Sequence, residues 1–262
     1  MSQAESFEKG TRARIEKAWR APLKVFGAPF GQNGYTLPNL VGLDWHSVGD
    51  PALDNWVAAP SGMNWAEGRK INFGKDATGN AIVYGLECKL TGIFDVTGSG
   101  NTITLTGRNL FRGTSNVYVT GNDTVTFVGA ETTINGASLF NQGNNTRLII
   151  GEGCMFSHGI TVRTSDDHAI IEIDTGRHLN APSDILIEPH VWLCPETAVF
   201  KGVRIGFGSV IANRAAVTSN IPRFSLAGGV PARVLRERIS WDRRLFPRSN
   251  YHEHLLSWEA EL

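Results

Sequence analysis

The sequence predicts an all-β fold, a triangular parallel β-helix, from three observations: a six-residue aliphatic period, a longer and nearly even Gly-Asn period, and a composition rich in turn and strand formers. Aliphatic residues fall at Ile187, Leu193, Val199, Ile205, Ile211 and Val217, each six residues after the last. A helix needs apolar residues at 3.6-residue spacing, and a half-buried strand needs a short run of period two. A sustained period of six fits neither. If each hexad is one short strand plus a turn, three hexads close a triangle of about 18 residues, and stacked triangles bury the aliphatic row.

Upstream, Gly79-Asn80, Gly100-Asn101, Gly121-Asn122 and Gly143-Asn144 recur at intervals that differ by no more than one position. Each precedes a strand-like run, such as Ala81-Ile82-Val83-Tyr84 or Thr102-Ile103-Thr104-Leu105. Gly-Asn suits the positive φ of a tight corner, so these pairs mark looser coils of the same prism. Hairpins of a β-sandwich would also space short strands regularly. The unbroken passage from one period into the other favours a single solenoid, expected over residues 76–234. Residues 1–75 lack the period; after a short helix expected around Glu5 to Arg20 they become rich in Gly, Pro and Trp, and an N-terminal cap is expected there. Residues 235–262 carry Leu235, Ile239 and Trp241 at roughly helical spacing, which predicts a C-terminal helical tail interrupted at Pro247.

The 25 basic and 25 acidic residues cancel, so charge points to neither nucleic acid nor an anionic membrane. The basic run from Lys9 to Lys24 reads as a solvated helix face. No stretch approaches the roughly 18 apolar residues of a membrane span, and Met1 to Lys9 lacks the apolar core of a signal peptide. A cytoplasmic protein is expected. Cys88, Cys154 and Cys194 are odd in number without CxxC spacing, and read as buried apolar residues rather than disulfide partners or zinc ligands.

The run Asp184-Ile185-Leu186-Ile187-Glu188-Pro189-His190-Val191-Trp192-Leu193 and the run Ser225-Leu226-Ala227-Gly228-Gly229-Val230-Pro231-Ala232-Arg233-Val234 resemble the hexapeptide-repeat acyltransferases, a match extending from about Asn80 to Arg243. Within that family, Arg163-Thr164-Ser165-Asp166-Asp167-His168-Ala169-Ile170, Asp174-Thr175-Gly176 and Ile239-Ser240-Trp241-Asp242 are similar to bacterial capsule and polysaccharide O-acetyltransferases. The resemblance implies a left-handed winding, a homotrimer, acetyl-CoA in the groove between neighbouring prisms, a polysaccharide or sugar acceptor, and a histidine base. One departure is that Glu188, Cys194, Phe200 and Ala212 stand where the family usually has glycine after the aliphatic residue.

Attack of a hydroxyl on a thioester near neutral pH needs a base, and histidine has the suitable pKa. His168 is the candidate, in the polar break Thr164 to His168, with either Asp166 or Asp167 close enough in sequence to orient it. Trp192, a little more than one coil further on, stands in the family's His-Val-Trp context; its indole would pack the thioester arm and donate to the acetyl oxygen, a task that backbone N–H groups could share. For coenzyme A, the small residues Ala212, Ala227, Gly228 and Gly229 would admit the pantetheine arm, and Lys201 and Arg233 would meet its phosphates. No metal is expected, because His158, His168, His178 and His190 are too evenly and widely spaced to match the zinc ligands of the γ-type carbonic anhydrases, two of which stand close together on one coil. Trp45, Trp56 and Trp65 either stack on sugars or form the core of the cap, and Arg163 and Arg177 are candidate partners for an acidic sugar. The competing functions are acetyl transfer to a small acceptor, such as an amino sugar, amino acid or antibiotic, and a non-catalytic β-helix.

Overall fold

The computed structural model describes residues 13, 42–247, 250–253 and 256–257. The helix expected around Glu5 to Arg20 lies, but for residue 13, outside them. Short strands stack into three parallel sheets, the faces of a prism. The chain visits them in rotation, so Ile187, Leu193 and Val199 lie on the first, second and third faces, and Ile205, Ile211 and Val217 repeat the circuit one coil on. The registers Ile187↔Ile205, Leu193↔Ile211 and Val199↔Val217 place each hexad residue directly on its equivalent. All six are completely buried, which is why one aliphatic position in six suffices to define the core.

The looser coils obey the same rule. Ala81–Tyr84, Thr102–Leu105, Val125–Val128 and Arg147–Ile150 stack on the first face, each just after a Gly-Asn pair. At these corners the glycines take positive φ, 64° at Gly79 and 70° at Gly100, and the asparagines tie one coil to the next. Asn101 N donates to Asn80 Oδ1 at 2.9 Å, and Thr124 N donates to Asn101 Oδ1 at 3.0 Å. Asn122 and Asn144 form a second such file, with Asn122 N donating to Asn144 Oδ1 at 2.9 Å. A buried backbone N–H left unpaired is costly, so Asn80 and Asn101 supply acceptors that their buried corner lacks, whereas the second file is exposed.

The boundaries differ from those expected at residues 76 and 234. Parallel stacking begins with Trp56–Pro60 under Ala81–Tyr84 and with Arg69–Phe73 beside Gly92–Thr97, so much of the cap segment is already prism. Leu43–Ser47 then closes the first face by antiparallel pairing with Trp56–Pro60. Trp45 packs against Ala58, Val83 and Phe127, and Trp65 packs against the main core, as a core role for these two tryptophans requires; Trp56 is half-buried, its Nε1 donating to Asp54 Oδ1 at 2.8 Å. At the other end Ala232–Arg236 pairs antiparallel with Leu226–Gly229, so the tail starts as a hairpin strand. Ile239 and Trp241 are not helical; they pack flat on the second face against Trp192, Met155 and Leu226. Helix among the described tail residues is confined to 251–253 and 256–257.

Glu188, one of the residues standing in place of glycine, is fully buried at a corner. Its carboxylate accepts from Arg223 Nε and Phe207 N, each at 2.9 Å, and pairs closely with Arg204. The side chain thus spans three successive coils. Cys88, Cys154 and Cys194 are buried free thiols, as the spacing predicts.

Candidate functional site

One coil is interrupted. Leu148 pairs directly with Ile185, because residues 165–182 leave the prism at the corner between the third and first faces. Both ends of this excursion are pinned. Thr164 is buried, and its Oγ1 accepts from Gln142 N at 2.7 Å; Ser183 N donates to Thr164 O at 2.9 Å, and Arg147 N to Asp184 Oδ1 at 2.8 Å. The outer part is a short hairpin, with Ile171 bridging His178 and Leu179 N donating to Ile170 O at 2.8 Å. It turns at Thr175 and Gly176, where Glu172 holds Arg177 at 3.2 Å. Ile170, Ile171, Ile173 and Leu179 on this hairpin are exposed, Ile173 to 97%.

His168 lies at the base of the excursion. Its imidazole is exposed and makes no hydrogen bond among the described residues. Neither neighbouring aspartate orients it. Asp166 forms a close ion pair with Lys201 and accepts from Asn180 Nδ2 at 2.9 Å, which holds its carboxyl below the usual carboxylate range. Asp167 pairs with Arg163 at 3.2 Å, and Arg163 in turn lies 5.1 Å over the Phe140 ring, which stacks on Tyr118. Cations beside both carboxylates attract them more strongly than a neutral imidazole would. The aspartates therefore brace the loop. Lys201 is engaged with Asp166 and donates to Asn180 O at 2.7 Å, so in this chain it serves the loop. Arg163 likewise is matched by Asp167, and Arg177 by Glu172.

Trp192 stands on the second face between Met155 and Val210. Its Nε1 donates to Ser157 Oγ at 3.4 Å, and its ring lies 5.8 Å from that of Trp241. Trp241 is fixed by His190, with rings stacked 4.4 Å apart; Trp241 Nε1 donates to His190 O at 2.8 Å, and His190 Nε2 lies 2.9 Å from Trp241 O. Arg243 secures the same segment by donating to the carbonyls of Glu131, Gly153 and Cys154 and to Thr133 Oγ1, and its guanidinium lies 5.7 Å from the Trp241 ring. Ala212, Gly228, Gly229 and Arg233 gather beyond Trp192 at the end of the second face. A Cβ on Gly228 would stand 3.0 Å from the Ala212 methyl and 3.1 Å from Leu235 Cδ1, so these side chains already fill the space beside it. Ala227 differs from these neighbours: it is fully buried in register with Ile211, so its methyl belongs to the prism core, and only its backbone can face a groove.

The site residues therefore fall into two halves. His168, Asp166 and Lys201 cluster at the corner between the third and first faces, whereas Trp192, Ala212, Gly228, Gly229 and Arg233 lie on the second face, opposite that corner. One prism does not bring them together. Asn180, Trp241 and His190 emerge as organising residues that the sequence did not mark for these roles. Among the described residues no three His, Cys, Asp or Glu side chains group as metal ligands, and no helix is long and apolar enough to cross a membrane.

The fold and these half-sites define a repeat-built β-solenoid that carries two separate groups of functional side chains. By sequence and fold the chain is similar to polysialic acid O-acetyltransferases. It is 27% identical over 179 residues to the polysialic acid O-acetyltransferase of Neisseria meningitidis, covering 68% of this chain and 82% of that protein. It is 30% identical over 116 residues to the polysialic acid O-acetyltransferase of Escherichia coli O1:K1 / APEC, covering 44% of this chain and 38% of that relative's length. The solved structure of the polysialic acid O-acetyltransferase OatWY matches with a TM-score of 0.62 at 22% identity, over 73% of this chain and 95% of that one, which shows a shared fold. No protein-family model matches the chain.

Proposed function

We propose that this chain transfers the acetyl group of acetyl-CoA to a sugar hydroxyl of a bacterial capsular or surface polysaccharide, with His168 as general base. The working unit in this proposal is a cytoplasmic homotrimer of left-handed prisms. The observation that carries it is the separation of the two halves: an exposed imidazole with no hydrogen bond among the described residues stands on a braced loop, and the indole stands on the opposite face, which supports a site shared between copies. The apolar hairpin led by Ile173 supports the same reading, since an exposed aliphatic tip gains by covering a neighbour. The two polysialic acid O-acetyltransferases support a polysaccharide acceptor.

In this site the pantetheine arm lies along the backbone at Gly229, where an added Cβ would meet nothing nearer than Pro231 O at 3.5 Å, and the exposed Arg233 offers two donors to a phosphate. His168 takes the hydroxyl proton as the new C–O bond forms. The Trp192 N–H, now on Ser157 at 3.4 Å, turns to the carbonyl oxygen as negative charge builds on it. The C–S bond then breaks, and the proton held by His168 passes to the departing thiolate.

Thiol release from acetyl-CoA, measured against capsular polysaccharides including polysialic acid and against free sugars, tests the reading. Turnover with a polymer that falls by three or more orders of magnitude in a folded His168→Ala variant supports it. Turnover with small amines or antibiotics alone overturns the acceptor. Failure to bind acetyl-CoA overturns the activity.

A further inference from the structure

We infer that Asn180 is the positioning residue of the His168 base, acting through the peptide groups around it; this rests on the proposed role of His168. Asn180 lies on the returning limb of the excursion, and its side chain folds back across the loop to His168. Nδ2 donates to His168 O and to Asp166 Oδ2, both at 2.9 Å. Oδ1 accepts from Ile170 N at 2.6 Å and lies 3.0 Å from His178 Nε2. A carboxamide has two N–H donors and two lone pairs, so every hydrogen-bonding position of this one is used inside the loop. The backbone carbonyl of Asn180 is held as well, by Lys201 Nζ at 2.7 Å.

The pattern of partners gives the amide its function. It grips the carbonyl of residue 168 and the N–H of residue 170, the two groups that bracket the peptide units following the base. With those units held, and with His168 N donating to Asp166 O at 2.8 Å, the Cα–Cβ direction of His168 is set without any contact to the imidazole. The ring itself stays free for a hydroxyl. A base oriented by a carboxylate partner would lose that freedom to one ring nitrogen; here orientation comes from the main chain, and Asp166 contributes by anchoring Asn180 to Lys201. Removing the amide leaves the acetyl-CoA half of the site, on the opposite face, untouched.

The experiment is a cycle of Asn180→Ala, His168→Ala and the double variant, read by thiol release from acetyl-CoA with polysialic acid as acceptor, together with hydrogen exchange at the Ile170 amide. Asn180→Ala is expected to lower kcat on the order of 100-fold, as misplacement of a reacting group by about 1 Å does, with the KM for acetyl-CoA unchanged. In the His168→Ala background the same change is expected to cost nothing further, because the two residues act as one unit. Wild-type kcat in Asn180→Ala beside an inactive His168→Ala overturns the inference and leaves the base intact. Full activity in His168→Ala overturns the base reading instead. Multiplying losses in the double variant overturn action through His168. Unchanged protection of the Ile170 amide overturns the inference whatever the acceptor. Should Asn180→Ala fail to fold, Asn180→Asp keeps the shape and removes both donors, and the same outcomes apply to it.

Discussion

At Asp166, the hydrogen bond from Lys201 and then that from Asn180 favour the ionised carboxyl and hold its pKa below that of an ordinary aspartate. A depressed carboxylate pKa gives stability that is present above the unfolded value and lost as pH falls through the folded one. The brace is therefore intact across the neutral range and fails only in acid, so it contributes no step to the rate profile near neutrality. Carbon NMR of the Asp166 carboxyl checks this: Lys201→Met is expected to move its midpoint upward, and an unmoved midpoint would sink the bracing role. Cys154 gives a second prediction at this scale. Burial pushes its thiol up to about 12, so a thiol-specific disulfide reagent at mildly alkaline pH should leave it unmodified until the chain is unfolded. Among single residues, the place of His168 in a break of the repeat was legible from the polar run around it. Asn180 was not, because its partners are set by how the excursion folds back and by no spacing along the chain.

Among the elements, the hexads were legible because each contributes one inward side chain, and that side chain has the same neighbour on every coil. Leu193 shows what such a position is worth. It lies on the second face between Phe156 and Ile211 with no exposure, so Leu193→Ala should cost about 2 to 5 kcal/mol, measured by chemical denaturation. Ala198→Ser, on the outward side of the neighbouring strand, should change stability by less than about 0.5 kcal/mol. The strands at Trp56–Pro60 and Arg69–Phe73 escaped the repeat because their corners lack the Gly-Asn pair; Asn55 fills that role for the first, accepting from Asn80 Nδ2 at 2.8 Å. The tail misled because apolar spacing looks helical whether it faces a helix axis or a flat sheet. Leu235, Ile239 and Trp241 belong to a hairpin strand and an extended run.

For the molecule as a whole, a site divided between copies has a signature that no single chain can mimic. In the proposed closed trimer, each groove takes its histidine from one copy and its tryptophan from the next. Inactive His168→Ala and Trp192→Ala proteins, unfolded together and refolded as a mixture, should regain about a quarter of wild-type turnover, since both intact groups meet at random in that share of grooves. Absence of recovery despite mixed assembly would place both groups within one chain. The spacing of His168 and Trp192 along the chain misleads as a distance, because residues 165–182 leave the prism and add length without adding a coil. The same independence of coil and excursion turns the Gly-Asn segment into a ruler. Its coils are joined to their neighbours by parallel pairing and by asparagine side chains at the corners, so a whole coil is the natural unit of excision or duplication. Each such edit would change the distance from the Trp56–Pro60 end to the His168 loop by one strand spacing, about 4.8 Å. The reach of the molecule is thus quantised, and selection could tune it by counting turns.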